Sequence, residues 1–220
     1  MTATKRVFSR DLFEEVPLVG ILRDVSVADA EIILPLFIDA GFTTIEVPIN
    51  SKDSEELINR LALHFGDRLN IGAGSVADVQ DLRKALDAGA SFIVTPVVVE
   101  EVIITSVGLS IPIFPGAFTT TEIWAAWRLG AAMVKVFPAK NLGIEFINAL
   151  KGPMPHIKLL PTGGIDIGNA TDFLKAGASG LGVSEGLFKK EFIKNRQWEV
   201  LGKHFKEFKK RIESTIGKNN

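Results

Sequence analysis

Short apolar runs alternate with longer amphipathic stretches along nearly the whole chain. Eight of the runs are strand-sized and mostly bounded by Gly or Pro: 17–23, 43–48, 69–73, 92–95, 111–114, 133–137, 157–161 and 180–183. Short, continuously apolar runs of this kind suit strands buried on both faces. Between them, 27–40, 53–65, 76–88, 119–129 and 169–176 place apolar residues at helical spacing. Ser26, Asp53 and Thr119 stand where N-caps are needed, and Glu122 completes a capping box with Thr119. Glycines recur at 41, 66, 89, 108, 130, 152 and 177, a spacing of 19 to 25 residues that leaves room for one strand and one helix. Most of them are expected to end a helix in the left-handed conformation before the chain turns into the next strand.

Strict alternation of strand and helix implies a parallel sheet. Eight units fit an α/β fold of the (β/α)8 TIM-barrel type, spanning about 17–187, better than an open doubly wound sheet. No Gly-x-Gly-x-x-Gly follows the first strand to suggest a dinucleotide site, and Gly72-Ala73-Gly74 is too little to count as one. Residues 5–15 are expected to form an extra helix covering the bottom of the barrel. Residues 190–216 read as a charged amphipathic segment whose Phe192, Trp198, Leu201, Phe205, Phe208 and Ile212 pack on the barrel. The last four residues, 217–220, are expected to fray. One domain over 1–220 is the economical organisation.

Composition narrows the function more than the fold. The 220 residues are 46% hydrophobic, enough for one sizeable core. A net charge of -1, from 25 basic and 26 acidic side chains, offers no field for nucleic acid and no polybasic membrane face. The absence of cysteine rules out disulfides, a thiolate nucleophile and a Cys-based metal site. His64, His156 and His204 lie far apart without ligand spacing, so no metal is expected. The polar start of the chain does not read as a signal peptide, and no apolar run is long enough to span a membrane. A cytoplasmic location is the expectation.

One strand breaks its own pattern. Within Met133-Val134-Lys135-Val136-Phe137-Pro138 only Lys135 is polar. An ammonium inside a packed barrel loses hydration, its pKa falls, and a neutral nucleophilic amine becomes available near neutral pH. A strand-end lysine that snorkels its charge into water is the competing reading. In a barrel of this type the working groups come from the C-terminal ends of the strands. Two other strand ends hold charges, Arg23 and Glu46. At one mouth Glu46 would shuttle protons beside the amine, and Arg23 would hold a carboxylate. A buried salt-bridge network would use the same three residue types. Neutral groups follow other strands: Asn50-Ser51, Ser75, Thr95-Pro96 and Pro115-Gly116. After strands seven and eight come Pro161-Thr162-Gly163-Gly164 and Gly182-Val183-Ser184-Glu185-Gly186, the pair of loops with which barrels often bind phosphate.

Taken in order, Ile45-Glu46-Val47-Pro48-Ile49-Asn50, Gly72-Ala73-Gly74-Ser75, Phe114-Pro115-Gly116, Val134-Lys135-Val136-Phe137-Pro138-Ala139 and Pro161-Thr162-Gly163-Gly164-Ile165 resemble the KDPG/KHG aldolases. The resemblance runs from about Pro17 to Leu187 and implies a homotrimeric, metal-independent and cofactor-free lyase of carbohydrate metabolism, in the Entner–Doudoroff route. Lys135 would form a Schiff base with a phosphorylated 2-keto-3-deoxy sugar acid, Glu46 would move the protons, and pyruvate and glyceraldehyde 3-phosphate would leave. Arg23, Asn50, Ser75, Thr95, Pro96 and Phe137 would contact substrate, and Thr162, Gly163, Gly164, Gly182 and Ser184 would cradle its phosphate. Three departures stand out. Asn50 replaces an arginine common in the gluconate enzymes, Ser75 a usual threonine, and Val183 a frequent glycine. The Val183 side chain is expected to hinder close approach of an anion. Other readings are a 4-hydroxy-2-oxoglutarate aldolase, another phosphate-binding barrel of the epimerase or thiamin-phosphate synthase type, and a non-catalytic phosphosugar-binding barrel.

Overall fold

The computed structural model describes residues 7–216, and its elements follow the alternation of the sequence. In chain order they are α1 (Arg10–Glu15), β1 (Leu18–Ile21), α2 (Val27–Asp39), β2 (Thr44–Pro48), α3 (Ser54–Phe65), β3 (Asn70–Gly74), α4 (Val79–Asp87), β4 (Ile93–Val94) and α5 (Glu100–Gly108). There follow β5 (Ile113–Phe114), β6 (Gly116–Ala117), α6 (Thr120–Arg128), β7 (Val134–Val136), α7 (Ala139–Lys151), β8 (Leu159–Pro161), α8 (Ala170–Lys175), β9 (Leu181–Val183), α9 (Lys190–Lys194) and α10 (Trp198–Ile216).

Every strand pairing is parallel, in the orders β5-β4-β3-β2-β1-β9 and β6-β7-β8. Two joints close these sets into one barrel. Pro115, which has no N–H to give the ladder, splits one stave into β5 and β6, yet its carbonyl still accepts from Lys135 N–H at 2.8 Å. Across the other joint Thr162 bridges Gly182, and Ser179 N–H donates to the Leu159 carbonyl at 2.9 Å. The nine strand segments among the described residues therefore make eight staves, the α/β barrel that the alternation implied.

Several boundaries differ from the sequence pattern. The N-terminal helix starts only at Arg10, because Ser9 caps it by accepting from Leu12 N–H; residues 5 and 6 of the expected span, like the expected frayed tail at 217–220, lie outside the described residues. Asp53 occupies the N-cap position of α3 but sits in the left-handed region, φ 57°, and makes no side-chain cap bond. The fourth helix begins at Val79 rather than 76, capped by Asp78. Positive φ occurs at four of the seven recurrent glycines, 41, 89, 130 and 177, whereas Ser110 takes that role in place of Gly108. Gly66 and Gly152 remain right-handed. The C-terminal segment is two helices, broken at Arg196, φ 53°.

The barrel is filled in layers. Val19, Phe92, Phe114, Met133 and Leu160 cluster inside it with Phe13 of α1, and Phe8 plugs the N-terminal end with edge contacts to Phe92 and Phe114 at centroid distances of 5.4 and 6.0 Å. Asn70 ties that plug down by accepting from Ser9 N–H at 2.7 Å and donating to the Ser9 carbonyl at 2.8 Å. Outside the barrel Phe37 of α2 stacks on Phe42 at 4.9 Å and meets Phe205 of α10 edge-on at 5.8 Å. Pairs of this kind add about 0.5–1.5 kcal/mol each beyond their buried area. The N-terminal end is thus closed by apolar packing, which leaves the C-terminal mouth for chemistry.

Candidate active site

Side chains alternate along a strand, so interior parity can be followed from the closed end to the open one. On β7 the inward series is Met133, Lys135 and Phe137. On β2 it is Thr44, Glu46 and Pro48, while Ile45 and Val47 pack outward with the helices. The same count carries β1 to Arg23, β3 to Gly72 and Gly74, β8 to Thr162, and β9 to Gly182 and Ser184. One rule of parity therefore brings Arg23, Glu46, Lys135, Phe137 and Ser184 to the same mouth.

Lys135 and Glu46 are both buried, at 7% and 3% exposure. Backbone register places Lys135 between Gly116 and Leu160, and Glu46 beside Gly72. Gly74 gives the carboxylate its place: a β-carbon there would overlap Glu46 Oε1. Burial pulls the Lys135 ammonium below the ordinary lysine range; attraction to Glu46 opposes this and repulsion from Arg23 assists it. Burial likewise pushes the Glu46 carboxyl upward, against the attraction of Lys135 and Arg23. Desolvation is the largest influence at both, so the amine gives up its proton more readily than an ordinary lysine and the carboxyl holds its proton more tightly than an ordinary glutamate. The Phe137 ring lies 5.0 Å from Lys135 Nζ and covers the amine on the side toward Gly163.

Arg23 is exposed and is steered by its neighbours. One guanidinium nitrogen donates to Ser75 Oγ at 3.0 Å, and another reaches Asn50 Oδ1 at 3.5 Å, the long limit of such a bond. Ser75 holds this position from the left-handed region, φ 57°, an uncommon conformation for a serine. Thr95 is fully buried and its hydroxyl is used locally, donating to the Val97 carbonyl and accepting from Gly116 N–H. The Pro96 carbonyl presses on Gly116, where a β-carbon would collide with it. The Thr95-Pro96 turn thus shapes the wall beside Lys135 through its backbone, with no hydroxyl offered to the mouth.

Beside the lysine, beyond Phe137 and Gly163, a cavity of about 550 Å³ opens between the loops after β8 and β9. Gly163 and Gly164, Ser184 and Gly186 line it, together with Lys140, Lys189 and Lys190. Positive φ values of 89° and 77° let Gly163 and Gly164 turn the first loop. Thr162 and Gly182 do not line the cavity: Thr162 is buried beneath it, bonded through its hydroxyl to the Leu160 carbonyl at 3.0 Å and packed against Gly182. The expected hindrance from Val183 is absent, because odd parity on β9 buries that side chain in the outer core. A neighbouring cavity of about 500 Å³ shares Ser184, Glu185 and Lys190 with the first and is also lined by Arg23.

The sequence reading missed Gly74 and the three lysines. Gly74 carries no signal until Glu46 is seen lying over it, whereas Lys140, two residues past Pro138, follows directly from the strand of Lys135. Among the described residues no group of three metal-ligating side chains is present, and no helix is long and apolar enough to cross a membrane.

A parallel barrel with a buried lysine, a buried glutamate and a glycine-walled cavity at one mouth defines the architecture of a class I aldolase. Residues 10–204 match the KDPG and KHG aldolase family, and the chain belongs to that family. It is 34% identical over 176 residues to the 2-dehydro-3-deoxy-6-phosphogalactonate aldolase of Escherichia coli K12, covering 80% of this chain and 86% of that one. A solved native KDPGal structure superposes with a TM-score of 0.86 at 30% identity, covering 92% and 97% of the two chains. The KDPG aldolase of Legionella pneumophila, solved with pyruvate captured as a covalent carbinolamine intermediate, gives a TM-score of 0.83 at 26% identity over 90% and 96%.

Proposed function

We propose that this chain cleaves 2-keto-3-deoxy-6-phosphogluconate, or its galactonate epimer, to pyruvate and glyceraldehyde 3-phosphate through a Schiff base on Lys135. The observation that carries this reading is the buried, pKa-lowered amine of Lys135 facing the buried Glu46 carboxyl at the barrel mouth.

Neutral Lys135 attacks the C2 ketone, and loss of water leaves an iminium. Glu46 as carboxylate takes the C4 hydroxyl proton while the C3–C4 bonding electrons flow into the iminium, releasing the aldehyde and leaving an enamine. Protonated Glu46 returns its proton to C3. Water then hydrolyses the iminium, freeing pyruvate and the amine. The Phe137 ring beside Nζ favours the cationic iminium over the neutral amine. Arg23, with Ser75 and Asn50, meets the carboxylate or the phosphate, and the cavity over Gly163, Gly164 and Ser184 takes the phosphate.

The test is incubation with pyruvate and borohydride. The expected result is a reduced adduct on Lys135 that persists in EDTA, is absent from Lys135→Ala, and is accompanied by cleavage of one or both phosphorylated epimers faster than 4-hydroxy-2-oxoglutarate. No adduct at saturating pyruvate would sink the proposal. This reaction is the cleavage step of the Entner–Doudoroff route, and a phosphorylated, membrane-impermeant substrate favours a cytoplasmic location. A homotrimer is the proposed assembly. Exposed apolar side chains on neighbouring elements, Ile104 and Val107 of α5, Phe118 before α6 and Trp124 on it, favour self-association, and sedimentation equilibrium at three times the chain mass is the check.

A further inference from the structure

Lys140 is a cation of the 550 Å³ cavity, and its backbone and stem are set by contacts to the glycine loop after β8. Its N–H donates to the Gly163 carbonyl at 3.0 Å. Its stem lies across Gly164, where a β-carbon would come within 2.5 Å of Lys140 Cβ and 2.9 Å of its Cδ. Backbone and aliphatic stem are thus both set against the same glycine loop, and the ammonium projects from an exposed residue that lines the cavity.

Of the other charges around the cavity, Lys189, like Lys140, forms no ion pair among the described residues, whereas Lys190 and Asp166 are engaged. Lys190 Nζ is ion-paired with Glu185 at 2.6 Å, and Asp166 Oδ1 accepts from Gly168 N–H at 2.8 Å. Among the described residues Lys140 forms no ion pair within the same cavity or elsewhere. A strongly hydrated, compact ammonium held by its stem and free at its head suits an anion that must be bound and then released.

We propose that Lys140 is a specificity-determining residue. It grips the terminal phosphate of the substrate and makes the site prefer phosphorylated over unphosphorylated 2-keto acids. This rests on the aldolase reading above. An unphosphorylated substrate leaves the ammonium in water with nothing gained, whereas a phosphate dianion gains a charge-assisted contact, so discrimination shows in kcat/KM between the two substrates.

The experiment compares wild type, Lys140→Ala, Lys140→Gln and Lys140→Arg, with Lys84→Ala as a surface control. For the alanine and glutamine variants KM for the phosphorylated substrate is expected to rise about tenfold, the loss of one contact to a charged group. The effect on 4-hydroxy-2-oxoglutarate, which has no phosphate, is expected to be below twofold, and arginine is expected to restore most of the phosphate preference. Competition by inorganic phosphate weakens in parallel with KM. An unchanged KM and unchanged phosphate competition in Lys140→Ala would overturn the inference, as would an equal loss on both substrate types. If wild type forms no pyruvate adduct, the aldolase reading falls instead. Calorimetric binding of inorganic phosphate to wild type and Lys140→Ala then still reads Lys140 by itself, and equal affinities would overturn its role as a phosphate contact.

Discussion

Glu46 lies directly over Gly74, so the carboxylate occupies the space that any side chain on that glycine would need. The two residues belong to adjacent strands, β2 and β3, whose register pairs Pro48 with Gly74. The atoms in conflict, Oε1, Cδ and Cγ, all belong to the Glu46 side chain and none to backbone, and Gly74 does not sit at positive φ. Gly74→Ala is therefore expected to fold and to displace the Glu46 carboxylate instead of the backbone. Turnover should fall by about 10²-fold or more, the usual contribution of a placed general acid–base group. Pyruvate trapping on Lys135 should continue. Loss of trapping and turnover together would show that Gly74 matters to more than Glu46.

The amine of Lys135 titrates below the ordinary 10.5 of lysine, chiefly through burial, and the Glu46 charge holds that value up. Trapping of pyruvate should accordingly rise with pH along a limb whose midpoint lies below 10.5. Removing the carboxylate charge with Glu46→Gln should move this midpoint further down while turnover falls by about 10²–10⁴-fold. A pH series of adduct formation by mass spectrometry measures it. A midpoint that stays put or moves up would mean that the two groups are not coupled.

Both buried groups work against the fold at neutral pH. Lys135 has a folded pKa below its unfolded one, so it costs stability below 10.5 and nothing once it is neutral in both states above that value. Glu46 has a raised folded pKa, so it costs stability above 4.5 and nothing below. The paired replacement Glu46→Leu with Lys135→Met should make the chain more stable by about 1–4 kcal/mol at pH 7, with activity abolished. Part of that gain should vanish as pH falls through the carboxyl range and part as it rises through the lysine range. Denaturant melts at several pH values provide the check. A loss of stability at pH 7 would indicate that the pair supports the barrel instead of straining it.

Much of this was legible in the sequence because it depends on neighbours along the chain. The alternation of apolar runs with helical spacing fixed a parallel barrel, since a two-residue period and a 3.6-residue period bury different faces. Charges in otherwise apolar strands or at their ends already singled out Lys135, Glu46 and Arg23, and the Gly163-Gly164 turn announced itself by composition. Boundaries were less legible where a local bond chose the start, as Ser9 did for α1 and Asp78 for α4.

Tertiary structure alone decided which groups meet. Glu46 needs Gly74 from the next strand, the Lys135 amine lies beside the Phe137 ring, and Lys140 is held against Gly164 across a separate loop. It also set the surroundings of three residues that the sequence had singled out. Thr95 spends its hydroxyl on Val97 and Gly116, Thr162 fills the barrel beneath the cavity, and Val183 turns its side chain away from it. The physical reason is the same in each case. A sequence sets the direction in which a side chain leaves its strand, but burial, shifted pKa and contact come from residues far along the chain that barrel closure brings together.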